Sequence, residues 1–346
     1  MSLQDPQMNG AFPVHAGFSG AVTYGSLGNT YLIRAKDCNV NAKQEINAID
    51  DVDGAIDKTR YTLSPYQIEG SFSFALDQSQ DADSFAVFEQ IFNDAVLRDS
   101  HGNMASKDQG RNLHVRYYPG ASYTYLHTVI DQLSLEVTES SELTANVTVK
   151  GRGRTDTAME TPNLDSGQDL APVRAIMFND ISIKFSQSSL GGGDNVNTID
   201  TDFESTVVRS FKMDIANNTD FVYTLSSSLT PYDIIAKKRD ITGSVTFAGK
   251  NEQLATFAIS HEDNAQSALD MTFSVKFSAN SPPLDLFVLK GVVFQIEEMS
   301  ITNDLVESTM NFRAYGEQGF NYEAISGFQD DSSANAENLP FGNSAV

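Results

Sequence analysis

A chain of 346 residues with 40% hydrophobic and 20% charged residues can bury the cores of two ordinary domains and is not a disordered polymer. Its 46 acidic and 23 basic residues give a formal charge of -23, which disfavours a groove that grips phosphate and hence direct nucleic-acid binding. One cysteine, Cys38, excludes an intrachain disulfide and a thiolate metal cluster, and no apolar run approaches the roughly 18 residues that cross a bilayer.

Residues 1–30 read as an N-terminal arm. Gly10, Gly17, Gly20, Gly25, Gly28 and Asn29 recur there among scattered apolar residues, and the basic start and apolar core of a signal peptide are missing. A first β-rich region covers 31–154. Cys38 reads as a small buried hydrophobe. Asp50-Asp51-Val52-Asp53-Gly54 resembles a calcium loop, but Ile49 and Arg60 stand where oxygen ligands are needed, so a polar turn is expected. Residues 67–76 alternate, with Ile68, Gly70, Phe72, Phe74 and Leu76 on one side. Gly70 inside that strand predicts a bulge or a close backbone approach. Phe85, Phe88, Phe92 and Val96, widened by Ile91 and Ala95, fall at helical spacing behind Asp83 or Ser84 as N-cap. They predict a helix over 84–96 that seals the open face of a sheet.

Residues 113–118 and 122–127, around Pro119-Gly120, predict a hairpin with His114 and His127 paired across its surface. No third ligand accompanies them for a metal. Residues 129–137 and 143–149 predict two more strands, and the basic cluster Lys150-Gly151-Arg152-Gly153-Arg154 closes the region. Residues 155–172, with Pro162, Asn163, Gly167 and Pro172, read as a linker. A second β-rich region covers 173–317. Its expected strands lie at 176–185, 207–215 and 221–225. A helix is expected at 253–259, a hairpin over 269–277 and 284–287, and a strand pair at 292–301 and 308–315. Gly191-Gly192-Gly193-Asp194-Asn195 is a loop without the spacing of a nucleotide fingerprint. Residues 318–346 read as a C-terminal arm, extended or without structure.

One phrase occurs in both regions. Ile68-Glu69-Gly70-Ser71-Phe72-Ser73-Phe74 and Ile241-Thr242-Gly243-Ser244-Val245-Thr246-Phe247 both read Ile-x-Gly-Ser-apolar-Ser/Thr-Phe. Each follows a Tyr-Thr-Leu-Ser stretch and a Pro-Tyr pair, and each precedes an expected helix, hairpin and strand pair. That order predicts a duplicated domain.

Chemistry leaves no local trace. His15, His101, His114, His127 and His261 show no zinc-like spacing, and no Gly-x-Ser-x-Gly elbow occurs. Glu297-Glu298 and Asp50-Asp51 are adjacent pairs that a strand would point to opposite faces. No catalytic, cofactor-binding or metal-binding residue is nominated, no cofactor is implied, and an enzyme is not expected.

The twice-used order, on the strands Ile68 to Phe74 and Ile241 to Phe247, the two helices and the strand pairs ending near Gly153 and Gly316, resembles the tail tube proteins of bacteriophages. The resemblance spans most of 31–316. It implies a mainly β fold of two tandem β-sandwich or barrel tube-type domains, each flanked by one α-helix. It also implies a structural subunit whose homotrimers form pseudo-hexameric rings that stack into a hollow conduit for DNA ejection. Implied partners are further copies of the chain, the tape measure, terminator and baseplate proteins, a sheath as a further candidate, and DNA passing without specific binding. The implied place is the virion, after synthesis in the host cytoplasm, with no membrane insertion. Segments 36–60 and 191–207 are candidates for docking ring on ring. Acidic side chains in the lumen would keep phosphate from sticking, so acid-to-Lys changes there are expected to slow ejection without preventing assembly. Two alternatives use the same residues. One is a single-ring component, a baseplate tube initiator or a tail terminator. The other is a β-sandwich binding module at a tail tip, with Tyr117, Tyr118, Tyr123 and Tyr125 as contact residues, although the chain has no Trp for a sugar platform.

Overall fold

The computed structural model describes residues 20–26, 29–33, 35–49, 60–76, 88, 91–92, 94–96, 112–117, 121–155, 174–187, 203–204, 208–225, 229–248, 269–276, 284–295, 298–302, 305–314 and 322–323. Antiparallel strands dominate them. In the first half these are β1 (Gly20–Ser26), β2 (Asn29–Ile33), β3 (Ala35–Lys43), β4 (Ile46–Ile49), β5 (Arg60–Leu63), β6 (Gln67–Ala75), β7 (Asn112–Tyr117), β8 (Ala121–Leu126), β9 (Val129–Thr138), β10 (Thr144–Gly151) and β11 (Gly153–Thr155). After a 3₁₀ turn at Phe178–Asp180 come β12 (Ile181–Gln187), β13 (Phe203–Glu204), β14 (Val208–Ala216), β15 (Asp220–Val222), β16 (Asp233–Ile235), β17 (Asp240–Ala248), β18 (Leu269–Val275), β19 (Leu284–Phe294), β20 (Glu298–Thr302), β21 (Leu305–Ala314) and β22 (Tyr322–Glu323).

The strands form two large sheets and two small hairpins. One sheet runs β11-β8-β7-β1-β2. The other runs β13-β12-β18-β19-β21-β17-β14-β9-β10-β6-β3, with β20 beside β21 and β22 beside β19. β4–β5 and β15–β16 stand apart as hairpins.

Period-two alternation explains the faces of the large sheet, because neighbouring side chains on a strand point to opposite sides. On β9, Leu133, Leu135 and Val137 are buried while Gln132, Glu136 and Thr138 are exposed. On β10, Ala145, Val147 and Val149 are buried, and on β14 Phe211, Met213 and Ile215. Helical residues Phe88, Ile91, Phe92, Ala95 and Val96 are all buried, at the 3–4 spacing that the aromatic stripe predicts. Phe92 stacks on Phe287 of β19 at 5.3 Å, Phe287 on Phe273 at 5.0 Å, and Phe273 meets Phe211 at 4.9 Å. This chain of rings joins the helix of the first half to strands of the second, so the core is continuous across both.

Several expectations shift. Residues 20–26 and part of 29–33 fall inside the expected N-terminal arm, yet they are strands. β1 pairs with both β2 and β7, so backbone pairing brings this Gly-rich stretch into the sheet. Tyr322 and Glu323, in the expected tail, pair with Leu289 and Val288. His114 and His127 do not face one another. His114 lies opposite Thr124, is buried, and shares a 2.9 Å hydrogen bond with the Thr124 hydroxyl. His127 is exposed at φ 51, past the end of β8. The calcium-like loop, the linker after Thr155, residues 188–200, the helix at 253–259 and nearly all of 318–346 lie outside the described residues.

Candidate assembly interface

β3 and β20 of the large sheet each have a bare side. β3 ends the sheet beyond β6, and β20 pairs with β21 alone; no described strand flanks either on the other side. Exposed edges of this kind are templates for pairing with another chain.

The registers around these edges repeat. Gly70 of β6 lies opposite Val40 of β3 and Val149 of β10. Gly243 of β17 lies opposite Met213 of β14 and Phe312 of β21. The register slips between Ala35 and Asp37 on β3, and between Val208 and Ser210 on β14, the same point relative to each glycine. Val129 lies opposite Lys150, and Val293 opposite Arg313. Two residues before each valine the backbone turns to positive φ, at His127 (φ 51) and Gly291 (φ 67). The order β3-β6-β10-β9 is thus matched by β14-β17-β21-β20. Within that match, β3 corresponds to β14, and β20 to the latter part of β9.

β9 and β14 pair with each other. Thr138 lies opposite Ser210, Val137 opposite Phe211, Leu135 opposite Met213 and Leu133 opposite Ile215. Side chains fasten this junction at both ends. At one end Arg209 donates to Glu139 at 2.5 and 2.8 Å and also pairs with Glu307. These two carboxylates, Glu139 foremost, raise the Arg209 pKa. At the other end Asp131 Oδ1 accepts from the Thr219 backbone N–H at 2.7 Å and from its hydroxyl at 2.5 Å. Lys150 Nζ donates to the Thr219 carbonyl at 2.5 Å, pairs with Asp131 at 3.4 Å and lies over the Phe221 ring. Asn217 is fully buried, and its amide donates to the carbonyls of Ala95 and Ile130 at 3.0 and 3.1 Å. Arg239 donates to the carbonyl of Val96. Asn217 and Arg239 therefore supply donors to the carbonyls of Ala95 and Val96 in the last described turn of the helix.

The face of this sheet opposite the core is polar. It carries Asp37, Asn39, Asn41, Lys43, Glu69, Ser71, Ser134, Glu136, Asn146, Thr148, Lys150, Lys212, Asp214, Asp240, Thr242, Ser244, Glu307, Thr309, Asn311 and Arg313. The acid excess of the chain is not concentrated here. Hydroxyls and amides outnumber carboxylates, and cations sit beside carboxylates: Lys212 by Asp214 at 3.4 Å and Arg313 by Asp240 at 3.6 Å. Two open dips indent the face, one lined by Lys36, Glu136 and Asn146, the other by Asp214, Gln295 and Arg313. Neither has the apolar enclosure of a small-ligand site.

No group of three potential metal ligands occurs among the described residues. Cys38, on β3, is partly buried, and burial pushes its thiol up to about 11. It is thus a protonated, weakly nucleophilic thiol at neutral pH. Of the four candidate contact tyrosines, Tyr125 is buried and donates to the Val40 carbonyl at 2.6 Å, and Tyr123 lies beneath the Arg154 guanidinium. These two therefore do not stand free to receive a ligand. Sequence reading missed Asn217 and Thr219, whose only sequence signal is a polar turn between two strands, and Asp131, a polar residue within β9.

A sequence profile described as phage tail tube protein matches residues 15–314. No curated protein matches the chain individually. A mainly antiparallel β structure with bare sheet edges accords with a protein that assembles with copies of itself and with other tail proteins. No helix among the described residues is long and apolar enough to cross a membrane. The match covers most of the chain, and the chain belongs to the phage tail tube protein family, as a structural component of the virion.

Proposed function

We propose that the chain is two fused copies of one tube unit, and that three chains close edge to edge into a ring that stacks into a DNA conduit. One observation carries this reading: the β9–β14 pairing is an internal version of the junction that β20 and β3 of successive chains would make. Its register transfers directly. Thr302 of one chain would lie opposite Asp37 of the next, Ile301 opposite Cys38, Ser300 opposite Asn39 and Met299 opposite Val40. Three chains would contribute about 24 strands to a common barrel. At ~4.8 Å per strand such a barrel is about 37 Å across before tilt widens it, enough for duplex DNA inside the side chains. Closure also removes both of these bare edges. The same family membership fits a single-ring initiator or terminator, which would close in the same way without stacking.

The native cysteine makes the register testable. Residues directly opposite in an antiparallel pair have Cα atoms about 4.5–5.5 Å apart, inside the span of a disulfide. Ile301→Cys, treated with an oxidant, is expected to yield covalent dimers and then a closed trimer on non-reducing gels. Adding Cys38→Ser should abolish the products. Ser300→Cys, one residue out of register, should give far less. Absence of cross-linking in assembled Ile301→Cys protein would refute the pairing.

The polar face would then line the lumen. Asp214→Asn with Asp240→Asn leaves Lys212 and Arg313 without these carboxylates facing passing phosphates. Ejection from phage carrying this tube is expected to slow at low salt and recover as salt rises, with assembly intact, because phosphate contacts are salt-dependent. Ejection that is unchanged at every salt concentration would place this face elsewhere.

A further inference from the structure

The two small hairpins match in register but not in exposure. Asn47 lies opposite Thr62 and Ala48 opposite Tyr61 in β4–β5; Asp220 lies opposite Ile235 and Phe221 opposite Ile234 in β15–β16. Asn47 and Asp220 each stand seven residues after the residue opposite the strand glycine, Val40 on β3 and Met213 on β14. Ile46 therefore corresponds to Thr219, Tyr61 to Ile234 and Leu63 to Ala236. Thr219 is 1% exposed and Ile234 3%, whereas Ile46 is 71%, Tyr61 68% and Leu63 42% exposed. The second hairpin is covered because its Thr219 end is held on Asp131 and Lys150 of the first half. The first hairpin has no such cover among the described residues.

The surface that would cover it is also present, and open. By the registers of β9–β10 and of β19 and β20 with β21, Asp131 corresponds to Gln295 and Lys150 to Arg313. Gln295 and Arg313 are exposed and line an open dip beside Asp214 and Asn311. In the first half the matching place holds Thr219 and, under the Lys150 ammonium, Phe221.

We infer that the apolar face of the β4–β5 hairpin, Ile46 with Tyr61 and Leu63, is a docking surface for a second copy of this chain, and seats in the partner copy's dip at Gln295 and Arg313. The inference rests on the ring reading above and adds a contact distinct from strand pairing. It also makes the two kinds of junction chemically different. Inside the chain the hairpin is held by a carboxylate and an ammonium. Between chains an isoleucine and a tyrosine would bury apolar area against an amide and the alkyl stem of an arginine, whose charged head stays in water. The contact between chains would therefore be far less sensitive to salt than a charge-paired one.

Ile46→Glu and Tyr61→Glu, made separately in the full chain, test this. Both positions are exposed in the single chain, so the circular dichroism spectrum and thermal melt should match those of the parent. The protein concentration needed for rings, followed by sedimentation velocity, should rise by about tenfold or more, since a carboxylate would give up water in a dip whose cations, Lys212 and Arg313, already sit beside Asp214 and Asp240. Thr62→Glu, exposed on the other side of the same hairpin, should assemble like the parent. The proposal fails if both glutamate variants form rings at the parental concentration while Cys38 still cross-links to Ile301→Cys; strand pairing would then stand alone. If the parent chain does not assemble and the Ile301→Cys protein does not cross-link, the ring reading falls and takes this contact with it.

Discussion

Replacing Gly70 with alanine is expected to lower stability by about 3 kcal/mol and to abolish assembly, the upper end of what overpacking a well-packed strand costs. A Cβ at Gly70 would lie 2.0 Å from the Asn39 carbonyl oxygen and 2.4 Å from the Val40 Cα. Both are backbone atoms of β3, so no side chain can swing aside. Relief requires β3 to move away from β6, and β3 is the strand whose free side is proposed to close the ring. Gly243→Ala meets the Lys212 carbonyl oxygen at 2.3 Å and the Phe312 ring at 2.3 Å, inside the sheet and not at its edge. It should destabilise at least as much, since β14, which would have to move, is held by β9 on its other side, whereas β3 is not. Gly153→Ala is the control: its nearest neighbour would be a Leu126 side-chain atom at 3.8 Å, ordinary contact. Thermal melts of the three variants, with size-exclusion chromatography, decide the matter. A Gly70→Ala protein that melts with the parent and still assembles would show that the close approach is not a constraint.

Asn217 is expected to be the most sensitive polar side chain at the internal junction. Its amide donates to two carbonyls, those of Ala95 and Ile130, from a fully buried position. Asn217→Ala leaves both without that donor and should cost about 2–3 kcal/mol. Asn217→Asp should cost more, about 3–5 kcal/mol, although it is nearly the same shape, because a buried carboxylate would face two carbonyl oxygens. The sign of its pH dependence follows. Burial raises the pKa of the new carboxyl above its unfolded value, so the folded state favours the protonated form. That form can donate one hydrogen bond, and stability should recover as pH falls. Urea melts of the three proteins at neutral and mildly acidic pH test the order. Equal losses for alanine and aspartate would mean that the site is packed for shape and not for donation.

Much of the architecture is legible in the order of the residues alone. The alternation of Ile68, Phe72 and Phe74 with polar neighbours marks a strand and its buried face, and Phe88, Ile91, Phe92, Ala95 and Val96 mark a helix by their spacing. Gly70 is legible as a close approach, since a glycine within an otherwise apolar strand leaves room for a neighbouring backbone. The candidate interface is much less so. Strands β1 and β2 are hidden among glycines, because β1 takes its place by backbone pairing with β7, and β2 by pairing with β1. His114 looks like a surface residue of a hairpin, yet the register puts it opposite Thr124 in the interior.

By itself the sequence determined the buried face of strands such as β6 and β9 and of the helix, because the periods of two and 3.6 are properties of the local backbone. It also pointed to the tube family through a phrase used twice. Only the tertiary structure decided that β9 pairs with β14, that no described strand flanks β3 and β20 on one side, that Asn217 donates to the helix of the other half, and that Ile46 is uncovered where Thr219 is buried. The physical reason is that strand pairing is made by backbone N–H and C=O groups that every residue but proline carries alike. Side-chain pattern selects the face of a strand, while its neighbour is chosen by contacts distant in sequence.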